Sequence, residues 1–239
     1  MKIHKLLADV FYPRLCPFCE RAYPLLSYSC SCDTSDITVP KKDNKKGVES
    51  DDHHLQYVFK AVSPLLYNRR AKEAVLKFKY SSRPGVGKQL AKMMADCIAE
   101  YLPVKDIDFV TWVPASRRDL KDKAYHQTRF LAVEVARLLK KNSLDSLQKM
   151  YQTDKQHSLN KFRRAANVLG AYEVIDKALV KDKTVLLIDD ILTTGFTADE
   201  CAKMLRVRGC KRVYLCTAAF AGKKEEKTAK KEKAENGKQ

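Results

Sequence analysis

Between residues 57 and 220 the spacing of hydrophobic positions switches repeatedly between two periods, which predicts strands separated by helices. Segments rich in β-branched and aromatic residues predict strands over YVFKAVSPLLY, IDFVTWVP, AYEVI, KTVLLIDD and KRVYLCTAAF. Apolar residues at helical spacing predict helices over RRAKEAVLKFKY, QLAKMMADCIAEYL, residues 127–141 and ADECAKMLRVRG, with SSRPGVGK as a loop between the first two. Strands that alternate with helices indicate an α/β fold with a mainly parallel sheet flanked by helices.

Composition divides the 239-residue chain into four predicted parts. Residues 1–35 hold four of the eight cysteines and form a small cysteine-rich module. Residues 36–56 are polar, as in a flexible linker, residues 57–220 form the α/β domain, and residues 221–239 form a disordered basic tail. Apolar residues make up 45 % of the chain, enough for a core, and no apolar run is long enough to span a membrane. We therefore expect a cytoplasmic protein.

The stretch TVLLIDDILTTGFT, residues 184–197, carries the clearest chemical signal. Its apolar half predicts a buried strand, and ligands of open parallel sheets bind at the carboxyl ends of the strands, where Asp189 and Asp190 follow. The next residues predict a turn into a helix that starts near Phe196 or Thr197, and such a turn binds phosphate through free backbone N–H groups. Gly195 allows the backbone to approach a phosphate closely, and Thr193, Thr194 and Thr197 provide three hydroxyl donors. Two carboxylates beside a phosphate-binding turn suit a sugar phosphate.

Two other interpretations compete with this one. In the first, the strand simply ends in solvated acidic residues. In the second, the chain is a nucleotide hydrolase whose aspartate holds Mg²⁺, which requires a phosphate loop of the form G-x-x-x-x-G-K-[ST]. The nearest match, SSRPGVGKQ, has Ser82 in place of the first glycine and Gln89 in place of the final hydroxyl. The second interpretation therefore fails at both ends of its motif.

The chain resembles the ComF branch of the phosphoribosyltransferases, which are competence-associated proteins. The segment VLLIDDILTTGFT is similar to the family's motif for phosphoribosyl pyrophosphate (PRPP), and KFKY, VPASRR and the polar stretch QHSLNKFRRAAN occur in the family's order. The likeness covers about residues 57–220, behind a cysteine-rich module. It implies a phosphoribosyltransferase-type Rossmann-like fold that binds PRPP with Mg²⁺ and is associated with DNA uptake.

The resemblance also implies a role for individual residues. Asp189 and Asp190 would hold the ribose hydroxyls, and residues 193–197, including Phe196, would surround the 5′-phosphate. The pyrophosphate-side loop would be Pro114, Ala115, Ser116 and Arg117, extended by Arg118. A mobile loop that closes over the site would contain Gln156, Arg163, Arg164 and Asn167. Catalysis would rest on Asp189, Asp190, Arg117 and Arg118, because the leaving pyrophosphate needs cations and bidentate donors.

One segment departs from the family pattern. Relatives usually have Arg-Gly-Phe/Tyr-Asn-Gln after the pyrophosphate-side loop, whereas this chain has KAYHQ, residues 123–127. The aromatic residue and the glutamine remain, while arginine, glycine and asparagine are replaced. We interpret His126 as a polar residue at a helix start, with proton transfer as the alternative.

The cysteines fall into two groups. Cys16 and Cys19 form a C-x-x-C pair and Cys30 and Cys32 follow closely, so four thiolates could close a tetrahedral structural zinc site. The resemblance supports zinc, since relatives carry N-terminal zinc ribbons; His53 or His54 is a substitute ligand, and disulfides are the alternative. The remaining cysteines are predicted to be core residues, and they are Cys97, Cys201, Cys210 and Cys216.

Charge adds a second functional hypothesis. The formal net charge is +17, and the C-terminal tail contributes only +3, so most of the excess lies on the rest of the chain. Such a surplus attracts polyanions. In the first hypothesis, the chain is a phosphoribosyltransferase that acts on PRPP and an unidentified acceptor. In the second, it is a non-enzymatic competence factor that binds single-stranded DNA and works with other competence proteins. Its PRPP site would then be a sensor or a relic. Stacking aromatics for DNA would be Tyr57, Tyr67, Phe78 and Tyr80, with core packing as their alternative role.

Overall fold

The computed structural model describes residues 15–22, 30, 32, 55–80, 84–115, 126–150 and 168–221. The strands are β1 (Lys60–Val62), β2 (Leu65–Leu66), β3 (Phe109–Trp112), β4 (Asn142–Ser143), β5 (Leu147–Lys149), β6 (Tyr172–Val174), β7 (Thr184–Leu192) and β8 (Arg212–Phe220). The helices are α1 (Arg69–Tyr80), α2 (Pro84–Tyr101), α3 (Gln127–Leu139), α4 (Lys177–Val180) and α5 (Phe196–Val207), with a short 3₁₀ turn at Val104–Asp106. Within these ranges no helix has the length and apolar character needed to cross a membrane.

Six strands form one parallel sheet. The order is β1-β8-β7-β3-β4, and β2 also pairs with β8. All of these pairings are parallel, for example Val110 with Leu186 and Leu186 with Tyr214. The α/β fold with a mainly parallel sheet is therefore confirmed. The strand predicted at AYEVI forms as β6 but lies outside this sheet, in an antiparallel pair with β5.

The central strand β7 is buried on both faces. Leu186 and Ile188 pack on one side with side chains of α2 and α3. Val185 and Leu187 pack on the other side with side chains of α5. Because successive side chains of a strand point to opposite faces, a strand covered by helices on both faces needs a continuous apolar run, and TVLLI is such a run.

Helix α2 begins earlier than its sequence pattern predicts. The segment SSRPGVGK was expected to be a loop, but the helix starts at Pro84 and includes Gly85 and Gly87. Proline suits the first turn of a helix because the N–H groups of that turn have no acceptor within the helix, so the N–H that proline lacks is not needed there. Gly87 is needed for packing, since a Cβ atom there would lie 2.6 Å from the ring of Phe130 and would also overlap the ring of Phe78. The glycines that suggested a loop therefore allow two helices to approach.

We expect Gly87→Ala to destabilise the domain by about 1–3 kcal/mol, because overpacking displaces two rings and outweighs the better helix propensity of alanine. Gly85→Ala is the matched control in the same helix, since a Cβ atom there meets nothing within 4 Å. Urea unfolding of both variants measures the difference. Equal stabilities would show that α2 does not pack closely at Gly87.

Candidate functional site

The carboxyl end of β7 carries the paired aspartates. The strand continues through Asp189 and Asp190 to Leu192, and Asp189 pairs in register with Thr217 of β8. The two carboxylates are half-buried, and the backbone N–H of Asp190 donates to Asp189 Oδ1 at 2.8 Å.

The turn after β7 leads directly into a helix. Gly195 is the N-cap residue with φ of +84°, a conformation that favours glycine, and α5 begins at Phe196 as expected. Thr193 is exposed and Thr194 is half-buried. The first N–H groups of a helix have no acceptor within it and carry the positive end of the helix dipole. This turn has the geometry of an anion site.

The acid pair and the turn line a single cleft of about 240 Å³. One wall comes from Val113, which follows β3, the strand next to β7. Two adjacent strands thus contribute their carboxyl ends to the cleft, as expected for an open parallel sheet. The other lining residues are Asp189, Asp190, Ile191, Leu192, Thr193, Thr194, Gly195, Thr197 and Ala198.

Three hydrogen bonds hold the backbone after β3. The N–H of Val113 donates to the carbonyl of Ile188 at 3.0 Å, and its own carbonyl accepts from Thr128 Oγ1 at 2.8 Å. The N–H of Ala115 donates to His126 Nε2 at 2.9 Å. His126 is the N-cap residue of α3, as predicted. Pro114 is buried beside these contacts.

The remaining predicted site residues lie outside the described residues. In the pyrophosphate-side loop these are Ser116, Arg117 and Arg118, and in the polar stretch they are Gln156, Arg163, Arg164 and Asn167. The described chain resumes just beyond that stretch, where the N–H of Gly170 donates to Glu200 Oε1 at 2.9 Å.

Two acids in the first turns of α5 hold neighbouring backbone, a role that the sequence analysis missed. Asp199 Oδ1 accepts from the N–H of Tyr57 at 2.7 Å, and Glu200, only 6 % exposed, accepts from Gly170. Burial raises the pKa of Asp199, while backbone N–H groups of residues 56–58 act in the opposite direction. Acids near a helix N-terminus are common for dipole reasons alone, so their sequence positions gave no signal of these contacts.

The four N-terminal cysteines form a compact cluster. Their Sγ atoms all lie within 4.8 Å of one another, with Cys16 3.5 Å from Cys32 and Cys19 3.3 Å from Cys30. All eight cysteines are free thiols, so the disulfide alternative is wrong. In a tetrahedral zinc site with Zn–S bonds of about 2.3 Å, the sulfurs lie about 3.8 Å apart. The cluster could therefore hold a metal such as zinc. The alternative ligands His53 and His54 lie outside the described residues.

Arg21 lies beside this thiol cluster. Burial acts to raise the pKa of Cys19, but hydrogen bonds from Arg21 and from the thiols of Cys30 and Cys16 lower it to about 6. Burial and the neighbouring thiols raise the pKa of Cys32. The lowered pKa of Cys19 favours its thiolate, the form that ligates metals.

The other four cysteines are buried in the α/β domain, which confirms their prediction as core residues. Burial raises the pKa of Cys97 to about 12 and that of Cys210 to about 11. It raises the pKa values of Cys201 and Cys216 well above the ordinary value. These thiols remain protonated at neutral pH and are poor nucleophiles.

Comparison with known proteins gives the class of the domain. The model of the family described as "Phosphoribosyl transferase domain" matches residues 129–237. Amidophosphoribosyltransferase of Pasteurella multocida (strain Pm70) is 28 % identical over 141 residues, which cover 59 % of this chain and 25 % of that protein. Competence protein F of Haemophilus influenzae is 25 % identical over 158 residues, which cover 62 % of this chain and 66 % of that protein. Among solved structures, glutamine PRPP amidotransferase from B. subtilis, complexed with ADP and GMP, is 22 % identical with a TM-score of 0.40, over 60 % of this chain and 30 % of that one.

The chain thus spans about a quarter of the length of the amidophosphoribosyltransferase it matches, and about two thirds of the competence protein. It carries a phosphoribosyltransferase domain. The match to this domain model and the similarity to competence protein F support a ComF-like protein of the phosphoribosyltransferase type, which agrees with the sequence resemblance.

We expect the purified chain to contain about one tightly bound metal ion, and the double variant Cys16→Ser/Cys19→Ser to lose it, because a hydroxyl is a poor replacement for a thiolate ligand. Cys210→Ser is the matched control. Its thiol donates to the carbonyls of Lys183 and Arg212 at 3.0 and 3.1 Å, bonds that a serine hydroxyl can also form. Elemental mass spectrometry reads the metal directly. Equal metal content in the double variant and the control would rule out the cluster as the binding site.

Proposed function

We propose that the chain binds PRPP with Mg²⁺ in the cleft at the carboxyl end of β7. One observation carries the proposal: the paired carboxylates and the turn that leads into α5 line the same cleft. Asp189 and Asp190 accept hydrogen bonds from the vicinal hydroxyls of the ribose. The turn from Thr193 to Thr197 holds the 5′-phosphate through hydroxyls and first-turn N–H groups of α5.

The pyrophosphate group is assigned to the opposite wall of the cleft. Val113 lines that wall, and the chain continues from it into Pro114, Ala115, Ser116, Arg117 and Arg118. The two guanidinium groups provide bidentate donors for phosphate oxygens. When Mg²⁺ is bound, it neutralises part of the pyrophosphate charge while keeping some of its own waters.

The proposed reaction is transfer of the phosphoribosyl group to a nucleophilic acceptor. The bond between ribose C1 and the pyrophosphate oxygen breaks, the acceptor forms a new bond to C1, and pyrophosphate leaves with the bonding electron pair. Arg117 and Arg118 stabilise the charge that develops on the leaving group, while Asp189 and Asp190 orient the ribose and support its cationic centre. The segment with Gln156, Arg163, Arg164 and Asn167 is proposed to close over the bound ligand and exclude water.

The cysteine cluster is proposed to be a structural zinc site. Four thiols match the closed ligand set of structural zinc, and such a site stabilises a short module that cannot form its own core. Thiols that hold zinc must stay reduced, which favours the cytoplasm as the location. A role in natural competence and DNA uptake, alongside other competence proteins, is proposed from the likeness to competence protein F.

PRPP with Mg²⁺ at about 100 times its dissociation constant should stabilise the folded chain by about 2.7 kcal/mol, which raises the melting temperature by roughly 5 to 11 °C. Asp189→Asn/Asp190→Asn should abolish this shift, because the amides remove the paired negative charge and part of the acceptor capacity for the ribose. Asp182→Asn is the control, since Asp182 precedes the same strand at its other end and has φ of +60°, which asparagine tolerates. Thermal denaturation with and without the ligand measures the shift for the wild type, the double variant and the control. An unchanged shift in the double variant would exclude the acid pair as the ribose-binding site.

A second candidate function, binding of single-stranded DNA, is favoured by a different surface. A cavity of about 670 Å³ lies where β1 and β8 begin, at the amino ends of the strands. Phe59 is 62 % exposed there, the Arg212 guanidinium lies 4.8 Å from the centre of its ring, and Tyr57 is also exposed. Arg206 and Lys211 add positive charge to the same lining. Exposed rings among cations are what base stacking and phosphate contacts require.

The aromatic set expected from the sequence is only partly available for this purpose. Phe78 is completely buried in the core, which confirms the packing alternative for that residue, and Tyr67 packs against the same core. The side chain of Tyr80 lies outside the described residues. The candidate surface is therefore built on Tyr57 and Phe59 rather than on α1.

If this surface binds single-stranded DNA, Phe59→Leu should weaken binding of oligo-dT about fivefold or more at 0.3 M salt, because stacking survives salt that screens phosphate contacts. Phe59→Tyr keeps the ring and should bind as the wild type does. Fluorescence anisotropy over a range of salt concentrations separates the contribution of base stacking from that of phosphate contacts. Equal affinities of the leucine and tyrosine variants at 0.3 M salt would remove this surface from consideration.

A further inference from the structure

His126 contacts one end of a short backbone segment at the cleft wall directly and the other end through Thr128. Its Nε2 atom lies 2.9 Å from the backbone nitrogen of Ala115. Its Nδ1 atom lies 3.0 Å from Thr128 Oγ1, which in turn is 2.8 Å from the carbonyl oxygen of Val113. The histidine therefore connects the first turn of α3 to the residues from Val113 to Ala115, where the pyrophosphate-side loop begins.

These contacts assign the protons of the ring. The N–H of Ala115 can only donate, so Nε2 must carry a lone pair. The carbonyl of Val113 can only accept, so the hydroxyl hydrogen of Thr128 points to it, and Oγ1 accepts from the ring at Nδ1. Both contacts require the neutral imidazole with its proton on Nδ1.

The N-cap contact of His126 is secondary to this pair. The N–H of Arg129 lies 3.3 Å from Nδ1, a longer distance than the other two. A neutral ring has one lone pair on nitrogen, and the geometry gives it to Ala115. A residue needed only to cap α3 would use the atom at the Nδ1 position and would not need one at Nε2.

We infer that His126 is a positioning residue, whose Nε2 lone pair holds the Ala115 N–H and thereby fixes the backbone from Val113 to Ala115, the residues from which the pyrophosphate-side loop continues. The inference rests on the proposed function in that this loop is assigned to pyrophosphate.

Two substitutions separate an acceptor for the Ala115 N–H from an acceptor that caps α3. In His126→Gln the amide oxygen can reach the Nε2 position and accept from Ala115, but it is poorly placed to cap α3. In His126→Asn the amide oxygen can lie near the Nδ1 position and cap α3, but it is too short to reach Ala115. Affinity for inorganic pyrophosphate with Mg²⁺, measured by calorimetry, should fall roughly three- to tenfold in His126→Asn and remain near wild type in His126→Gln. Affinity for ribose 5-phosphate, assigned to β7 and α5, should be unchanged in both.

A purely structural role predicts the opposite order. Stability would then be lower in the glutamine variant, and pyrophosphate affinity would follow stability. Pyrophosphate affinity in His126→Asn equal to that of the wild type would overturn the inference, as would an equal loss in both variants.

A spectroscopic measurement separates this inference from the proposed function. Nitrogen-15 NMR of the wild-type chain should show His126 with its proton on Nδ1, and hydrogen exchange at the Ala115 amide should be slow in the wild type and the glutamine variant but faster in the asparagine variant. Neither observation needs a ligand. If the wild type binds neither PRPP nor pyrophosphate while these signals are as expected, the proposed function fails and the positioning contact stands. A proton on Nε2 would overturn the inference whatever the chain binds.

Discussion

Burial of β7 on both faces is the constraint on which the site depends. Helices cover the sheet on each side, so the middle of the strand, from Val185 to Ile188, consists of buried apolar side chains. Asp189 and Asp190 lie at that end, in the ladder with β8 yet half-buried at the edge of the cleft. The ladder with β8 determines where the two carboxylates lie, and both line the same cleft. A well-packed apolar strand thus holds two adjacent carboxylates in place although their negative charges repel each other.

Polar contacts from other elements then shape the cleft. Thr128 and His126, both at the start of α3, hold the backbone after β3. Asp199 and Glu200 in α5 hold the segments that enter at Tyr57 and return at Gly170. Most of these bonds join a side chain to a backbone group far away in sequence, so they connect the cleft to segments leading to the cysteine cluster and the polar stretch.

Charge has different consequences at the two ends of the sheet. At the carboxyl ends, two carboxylates lie beside a helix N-terminus, an arrangement that suits a ligand with both hydroxyls and phosphate. At the amino ends, Arg206, Lys211 and Arg212 surround exposed aromatic rings. The two candidate functions therefore use opposite ends of the same sheet without competing for residues.

Periodicity and composition by themselves determined the α/β class, most of the longer elements and the position of the acid pair and turn, because these depend on local spacing. They also placed His126 at a helix start. Tertiary structure alone decided that Gly87 belongs to a helix, since only the rings of Phe78 and Phe130 reveal why it lacks a side chain. The short strands β4 and β5 have too few residues to produce a pattern and form through pairing. The contacts of His126, Asp199 and Glu200 likewise join distant residues, and no spacing rule in a single sequence reports which distant backbone a side chain will meet.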